Sequence, residues 1–345
     1  MSTVAVYNGN IVLYWNSIII TLGIVSGFLL GYSLYIAHFG RGSAMWVFLP
    51  FAIVLSVVFC RLIHYFCYPS QYSSLASVVF APSEGGYCLG GVVIGVWLAA
   101  WIAEKIRLTD CKGKILDALA PGLALTLALI RLSDIFTSAC RGKEVISRPA
   151  FQRLPVSSPV ALGNGGAEYH FATFFMSFLA LMILMAVMIS FYLKHYNRPM
   201  KEPCPCDGNA ARLFVLAFGL LEMITDSTRN DAAHLKFSSG NALGRLFTKA
   251  SGFIGVEMLI GAVIVVSVMV FYTKMSKRIN RKNGRRIILW IMFVLGLAVF
   301  GGLEWLYQRL GFPVIHLGQA AGLLLLFFSS WGMYRACMKN KKGSA

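Results

Sequence analysis

The chain has 345 residues, of which 57% are hydrophobic and only 13% charged, against roughly 25% charged in an ordinary soluble domain. Its net charge of +17 would suggest a polyanionic partner in a soluble protein. In a chain this apolar the basic residues instead orient membrane spans, so a polytopic membrane protein is expected and no nucleic acid is expected as a partner. The eight cysteines are scattered, with Cys60, Cys67 and Cys88 in or beside apolar runs, which excludes a secreted disulfide framework.

Residues 1–10 carry no charged side chain and lead into an apolar run of more than 20 residues. A basic start and a short apolar core, the marks of a cleaved signal peptide, are missing, so a retained first span is expected. Apolar runs of the length needed to cross the hydrocarbon core fall near 11–37, 44–67, 86–103, 115–136, 171–193, 210–227, 252–273, 287–306 and 314–336. The expected fold class is all-α: a polytopic integral membrane helix bundle of about nine transmembrane helices. With Met1 outside, the cytoplasmic loops and tail hold 20 Lys and Arg and the outer loops hold 9. That bias predicts an outside N-terminus and a cytoplasmic C-terminus.

Gly23, Gly27 and Gly31 recur every four residues on the first span, as do Gly91 and Gly95 on the third; small residues at this spacing let helix backbones approach. Residues 140–170 contain Pro149, Pro155, Pro159 and Asn164-Gly-Gly, which predicts a long irregular outer loop. Residues 274–286 form a basic cytoplasmic linker suited to orienting the chain and meeting anionic lipid.

Four constellations could carry chemistry, all near the outer leaflet in this topology. Arg131 and Asp134, three apart at the end of the fourth apolar run, share a helix face. They suit either a structural ion pair or a lipid-headgroup site, with Arg131 on a phosphate and Asp134 orienting it or handling a proton. Arg61 and His64 have the same spacing at the end of the second run. Glu222 and Asp226, four apart and followed by Arg229, place two carboxylates on one face, where one pKa can rise. Gly85-Gly-Tyr-Cys-Leu-Gly-Gly91 is a turn that admits close backbone approach. No Walker loop, HExxH or GxSxG is present. Cys204-Pro-Cys206 lacks a second ligand pair with zinc spacing, and no cofactor or metal is expected.

The order of these pieces resembles the bacterial prolipoprotein diacylglyceryl transferase family. The similarity covers about residues 11–273 and rests on several segments. Tyr14-Trp15 leads into the glycine-bearing first span. Arg61-Leu62 resembles the family's Ala-Arg-Leu-Gly-Tyr segment, and Glu84-Gly-Gly-Tyr-Cys-Leu-Gly-Gly91 its Gly-Gly-x-Ser-Phe-His-Gly-Gly turn. Ala120-Pro-Gly-Leu-Ala-Leu-Thr-Leu-Ala-Leu-Ile-Arg131 is similar to the approach to its signature Gly-Arg-x-Gly-Asn-Phe-x-Asn-x-Glu. Phe218-Gly through Arg229-Asn-Asp231 resembles its Tyr-Gly-x-x-Arg-x-x-x-Glu-x-x-Arg segment, and Ser239-Gly-Asn241 its Met-Gly-Gln. Arg61, Arg131, Gly142 and Arg229 coincide with the family pattern. Leu89 replaces its turn histidine, Asp134 and Thr137 its asparagines, Ala139 its glutamate, Glu222 an arginine and Asp226 a glutamate.

The resemblance implies a seven-helix membrane domain over residues 11–273, followed by the 274–286 linker and an additional two-helix hairpin over 287–338. It implies a diacylglyceryl group moved from phosphatidylglycerol, or a similar anionic phospholipid, to the lipobox cysteine thiol in a prolipoprotein signal peptide at the bacterial cytoplasmic (inner) membrane. Phosphate binding then falls to Arg131 with Arg61 or Arg229, beside Gly142, and thiol deprotonation to Asp134 or Asp226. Glu222 and His64 modulate the site, Glu222 being expected to pair with an arginine. Two other readings stay open: a non-catalytic lipid- or lipoprotein-binding paralogue, and a transporter.

Overall fold

The computed structural model describes residues 4–8, 11–40, 42–68, 71–81, 86–137, 139–143, 145–147, 149–161, 166–196, 208–230, 255–279, 284–310 and 314–339. Two short strands come first, β1 (Val4–Asn8) and β2 (Ile11–Tyr14), paired antiparallel with Asn8 opposite Ile11. The first apolar run is therefore not helical from residue 11, as expected, but from Trp15. Ile11, Val12 and Tyr14 are β-branched or aromatic and favour the pleated pairing.

The helices that follow are α1 (Trp15–Phe39), α2 (Ser43–Cys67), α3 (Ser77–Phe80), α4 (Gly90–Lys105) and α5 (Lys112–Ser133). A 3-10 turn, Asp134–Phe136, continues α5. Next come α6 (Pro149–Gln152), β3 (Ser157–Ala161), β4 (Ala167–Phe171), α7 (Thr173–Tyr196) and α8 (Asn209–Thr228). The last three helices are α9 (Val256–Ile279), α10 (Gly284–Leu310) and α11 (Ile315–Lys339). Among the described residues seven helices are long and apolar enough to cross a membrane: α1, α2, α5, α7, α9, α10 and α11. The protein is a multi-pass, predominantly helical membrane protein. Of the two other long helices, α4 has 16 residues, and α8 carries Arg212, Glu222 and Asp226 within its 20.

The chain divides into two compact units, Met1–Phe214 with Thr228–Asp231, and Val215–Ser227 with Ala232–Ala345; α8 contributes to both. In the first unit α5 is central, packing on α1, α4 and α7, while α2 packs on α4. Bilayer tails are as apolar as the side chains, so close van der Waals packing decides such contacts. The glycine stripe supplies it: a Cβ on Gly27 would stand 2.1 Å from Thr126 Oγ1 and 2.4 Å from Gly122 O, and one on Gly122 would stand 2.0 Å from Gly27 O. The Gly91 and Gly95 face of α4 lies in the same way against the α2 backbone at Cys60 and Ser56. Phe28, Met45, Phe48, Ala100, Ile115 and Tyr192 form the core between these helices.

In the second unit α11 packs on both α9 and α10, around Met269, Phe293, Phe300, Leu326 and Met333. Gly219 of α8 and Gly261 of α9 meet backbone to backbone. A buried polar cluster joins Ser227, Glu304 and Gln319: Gln319 Nε2 donates to Glu304 Oε2 at 2.7 Å and Ser227 Oγ donates to the same oxygen. His316 Nδ1 lies 2.6 Å from Gln319 Oε1.

Residues 140–170 are more regular than the expected loop. β3 and β4 pair antiparallel with Pro159 opposite Tyr169, and α6 precedes them. Pro159 lacks an N–H and is tolerated because β3 pairs on one side alone.

Candidate functional site

The last two turns of α2 hold the glycine-rich turn. Arg61, 2% exposed, donates through Nε to Val78 O at 2.5 Å and through Nη2 to Ser77 O at 3.2 Å and Ala81 O at 2.7 Å. These carbonyls belong to α3 and the residue after it, so the guanidinium caps the end of that short helix. It also lies over the rings of Tyr72 and Tyr87, 5.6 and 5.4 Å from their centroids. One turn on, His64 Nδ1 accepts the Gly86 N–H at 3.2 Å, and Tyr72 Oη donates to Gly86 O at 3.2 Å. A neutral His64 accepting at Nδ1 carries its proton on Nε2. A Cβ on Gly86 would stand 2.7 Å from Nε2, so any other residue here would displace the ring. Leu89, where the family pattern has histidine, is buried at the start of α4.

Arg131 ends α5 and is 3% exposed. Its Nη1 donates to Cys140 Sγ at 3.4 Å, a weak acceptor. Cys140 is buried with φ +56, a left-handed conformation that costs an L-residue roughly 1–2 kcal/mol. Phe174 N–H holds it from the other side, donating to Cys140 O at 3.0 Å. Past this kink the chain runs as a short extended segment between two others. On one side Gly142 N–H donates to Phe171 O (2.7 Å) and Ile146 N–H to Tyr169 O (2.7 Å). On the other, Lys143 N–H donates to Thr228 O (2.9 Å) and Asn230 N–H to Arg141 O (2.8 Å), which brings Arg229 opposite Gly142. A Cβ on Gly142 would stand 2.8 Å from Phe171 O, so this crossing requires glycine.

The structure thus brings Gly142 and Arg229 together and joins Arg131 to the same segment through Cys140. Asp134 opens the 3-10 turn directly after α5; its carbonyl accepts from the Thr137 N–H (3.1 Å) and hydroxyl (3.2 Å). Arg141 Nη2 donates to Thr137 O at 3.1 Å and Nη1 to Pro159 O at 3.1 Å. His170 reaches Gly142 O through Nδ1 at 3.0 Å and Glu168 Oε2 through Nε2 at 3.3 Å.

Glu222 and Asp226 lie in the second unit, both buried. Asp226 Oδ2 accepts the Met258 N–H at 2.8 Å, capping the start of α9 from a different helix. Gly255 makes the approach possible, since a Cβ there would stand 1.9 Å from Asp226 Oδ2. Cys204, Cys206, Asp231 and Ser239-Gly-Asn241 lie outside the described residues.

Two buried carboxylates were not singled out from sequence, Glu304 of the polar cluster described above and Asp117. Asp117, 0% exposed on α5, accepts from Tyr196 Oη (2.9 Å), Gly208 N–H (3.1 Å) and Ala211 N–H (2.8 Å). It caps the first turn of α8, which Gly208 enters at φ +72. The signal was an acidic residue inside an apolar run, which demands partners wherever it occurs.

A buried cation beside a rigid turn can hold an anionic headgroup, and a carboxylate one turn away can accept a proton. Comparison with known proteins gives these residues a family. The family model for prolipoprotein diacylglyceryl transferase matches residues 3–266. A phosphatidylglycerol–prolipoprotein diacylglyceryl transferase of Oceanobacillus iheyensis is 24% identical over 238 residues, 67% of this chain and 78% of that protein. The similarly named protein of Finegoldia magna is 22% identical over 272 residues, 78% of this chain and 94% of its own length. One from Clostridium botulinum is 29% identical over 154 residues, 43% of this chain and 60% of the relative. With three quarters of its length under one family model, the chain belongs to the prolipoprotein diacylglyceryl transferase family.

Proposed function

We propose that the protein transfers a diacylglyceryl group from phosphatidylglycerol to the lipobox cysteine of an exported prolipoprotein, in a bacterial cytoplasmic membrane with the N-terminus outside. In this reaction the thiol proton passes to Asp134. The sulfur attacks the glyceryl carbon that bears the phosphate. The carbon–oxygen bond breaks as the thioether forms, and glycerol phosphate departs with the charge. Arg131 holds that phosphate, because the cation is needed where negative charge accumulates, and the thiolate is the competent nucleophile. Arg229, opposite Gly142, adds positive charge to the same segment. Arg61 and His64 position the glycine turn rather than touch the lipid, and Asp226 holds the start of α9.

The observation that carries this reading is the burial of Arg131 at the end of α5, at the signature position of the matched segment. The test is purified protein in phosphatidylglycerol vesicles with a lipobox peptide, following thioether formation by mass and release of glycerol phosphate. Product from the parent chain, lost in Asp134→Ala and strongly reduced in Arg131→Ala, is the expected result. The second reading, a non-catalytic lipid- or lipoprotein-binding paralogue, is favoured by Leu89 at the family's histidine position. Phosphatidylglycerol binding without product from the parent chain would select it.

A further inference from the structure

Beyond the 3–266 segment of the family match lies a groove of about 860 Å³ between α9 and α10, two helices that both pack on α11. We propose that this groove is a binding site for an anionic phospholipid, with the phosphate against Lys277 and Arg286 and an acyl chain along α10.

The two ends of the groove differ chemically. At one end stand Lys277, exposed on the last turn of α9, and Arg286, near the start of α10. From there Trp290, Val294 and Ala298 follow Arg286 at four-residue intervals on one face of α10, with Ile291 and Leu295 beside them. The wall is apolar and open: Ile291, Val294 and Leu295 are each more than half exposed. Trp290 fixes the floor, its indole Nε1 donating to Thr273 Oγ1 across the groove at 3.1 Å.

Dimensions fit one leaflet. From Arg286 to Ala298 the helix rises about 18 Å, close to the ~15 Å half-thickness of a hydrocarbon core. A cationic mouth leading into an apolar trough of that depth complements a phosphate with an acyl chain. A protein partner would meet two cations at one edge and, on the wall, Thr273 and the Trp290 indole, which already bond to each other.

Photolabelling tests this on the full chain in vesicles. The probes are phosphatidylglycerol and phosphatidylcholine, each with a diazirine in the acyl chain, and crosslinked peptides are mapped. Residues 273–298 should be labelled preferentially by the anionic probe. Lys277→Gln, at an exposed position, should lower that preference by about fivefold, the equivalent of the ~1 kcal/mol one basic side chain contributes against anionic lipid. Val294→Trp should fill the trough and reduce labelling by both probes, with the thermal midpoint of the protein unchanged. Equal labelling by the two lipids, or undiminished preference in Lys277→Gln, would overturn the proposal and leave ordinary boundary lipid.

Discussion

The two ends of α5 treat a buried charge in opposite ways. At Asp117 the carboxylate meets three donors of its own chain, two of them backbone amides at the start of α8. Some 21 Å further along the helix by its rise per residue, Arg131 aims an N–H at a thiol sulfur, next to a left-handed Cys140 and a glycine crossing. An end whose charge is met by strong acceptors or donors holds the fold. Strained backbone such as that at Cys140 clusters at functional sites, and the thiol that Arg131 reaches is a weak acceptor. Under the proposed function the Asp117 end is scaffold and the Arg131 end is site.

The largest effect should come from Asp117→Ala. It strands the Gly208 and Ala211 amides and the Tyr196 hydroxyl, at about 1–3 kcal/mol for each buried group left without a partner. Expected is a loss of several kcal/mol, read as a fall in thermal midpoint and folded yield. Asp117→Asn, which keeps an acceptor, should lose less. An Asp117→Ala protein as stable as the parent would mean that this end is not the scaffold end. Next comes Arg131→Ala, which should leave the midpoint nearly unchanged while turnover drops by roughly 10- to 150-fold, the equivalent of one lost charge-assisted contact of 1.5–3 kcal/mol. If stability fell and residual turnover per folded molecule were normal, the contrast between the ends would be reversed.

Much of this was legible in advance, unevenly. Among the described residues, seven of the expected apolar runs lie on helices long and apolar enough to cross a membrane, because hydrocarbon thickness sets segment length, while the runs at 86–103 and 210–227 lie on α4 and α8. The glycine stripe announced the α1–α5 contact through its four-residue spacing. Arg131, Gly142 and Arg229 could be singled out, but not their meeting, since the bonds that set residues 142 and 229 opposite each other, from Lys143 N–H to Thr228 O and from Asn230 N–H to Arg141 O, depend on tertiary folding. The β3–β4 hairpin was hidden by its prolines, although Asn164-Gly-Gly between extended segments is itself a hairpin signal. Cys140 gave no signal, because an L-residue at positive φ is imposed by its surroundings. The caps made by Asp117 and Asp226 were hidden for one reason: sequence shows a costly carboxylate but not the distant helix start that it caps.

Between its two ends α5 depends on the glycine face, and Gly27→Ala probes it. The added methyl would stand 2.4 Å from the Gly122 carbonyl, a backbone atom that cannot rotate away. Overpacking of this kind costs typically 1–3 kcal/mol, so a lower thermal midpoint is expected. Gly302→Ala on α10 is the control, with nothing within 4 Å of the new Cβ, and should gain up to about 1 kcal/mol from helix propensity. Equal effects at the two positions would show that α1 and α5 do not depend on close approach.

The smallest effect belongs to the entry of α5, beside the Asp117 end. Glu104 Oε2 accepts from Lys112 Nζ at 2.7 Å and Oε1 from the Lys112 N–H at 3.3 Å, so one carboxylate pairs with the first side chain of α5 and covers its first amide. The Lys112 hydrogen bond holds the Glu104 carboxyl below the ordinary carboxylate range, against a smaller opposing contribution from desolvation. A folded-state pKa below the unfolded one means stability that is fully present above the unfolded value, near pH 4.3, and lost as pH falls through the lower folded value. Both side chains are about one-third exposed, so screening keeps the contribution below about 1 kcal/mol. Stability should therefore decline on the acid side of pH 4 in the parent and decline less in Lys112→Met, with the two curves converging in 1 M salt, where the Debye length is about 3 Å. Parallel acid limbs for parent and variant would remove Glu104 from the scaffold end, leaving Asp117 to hold it.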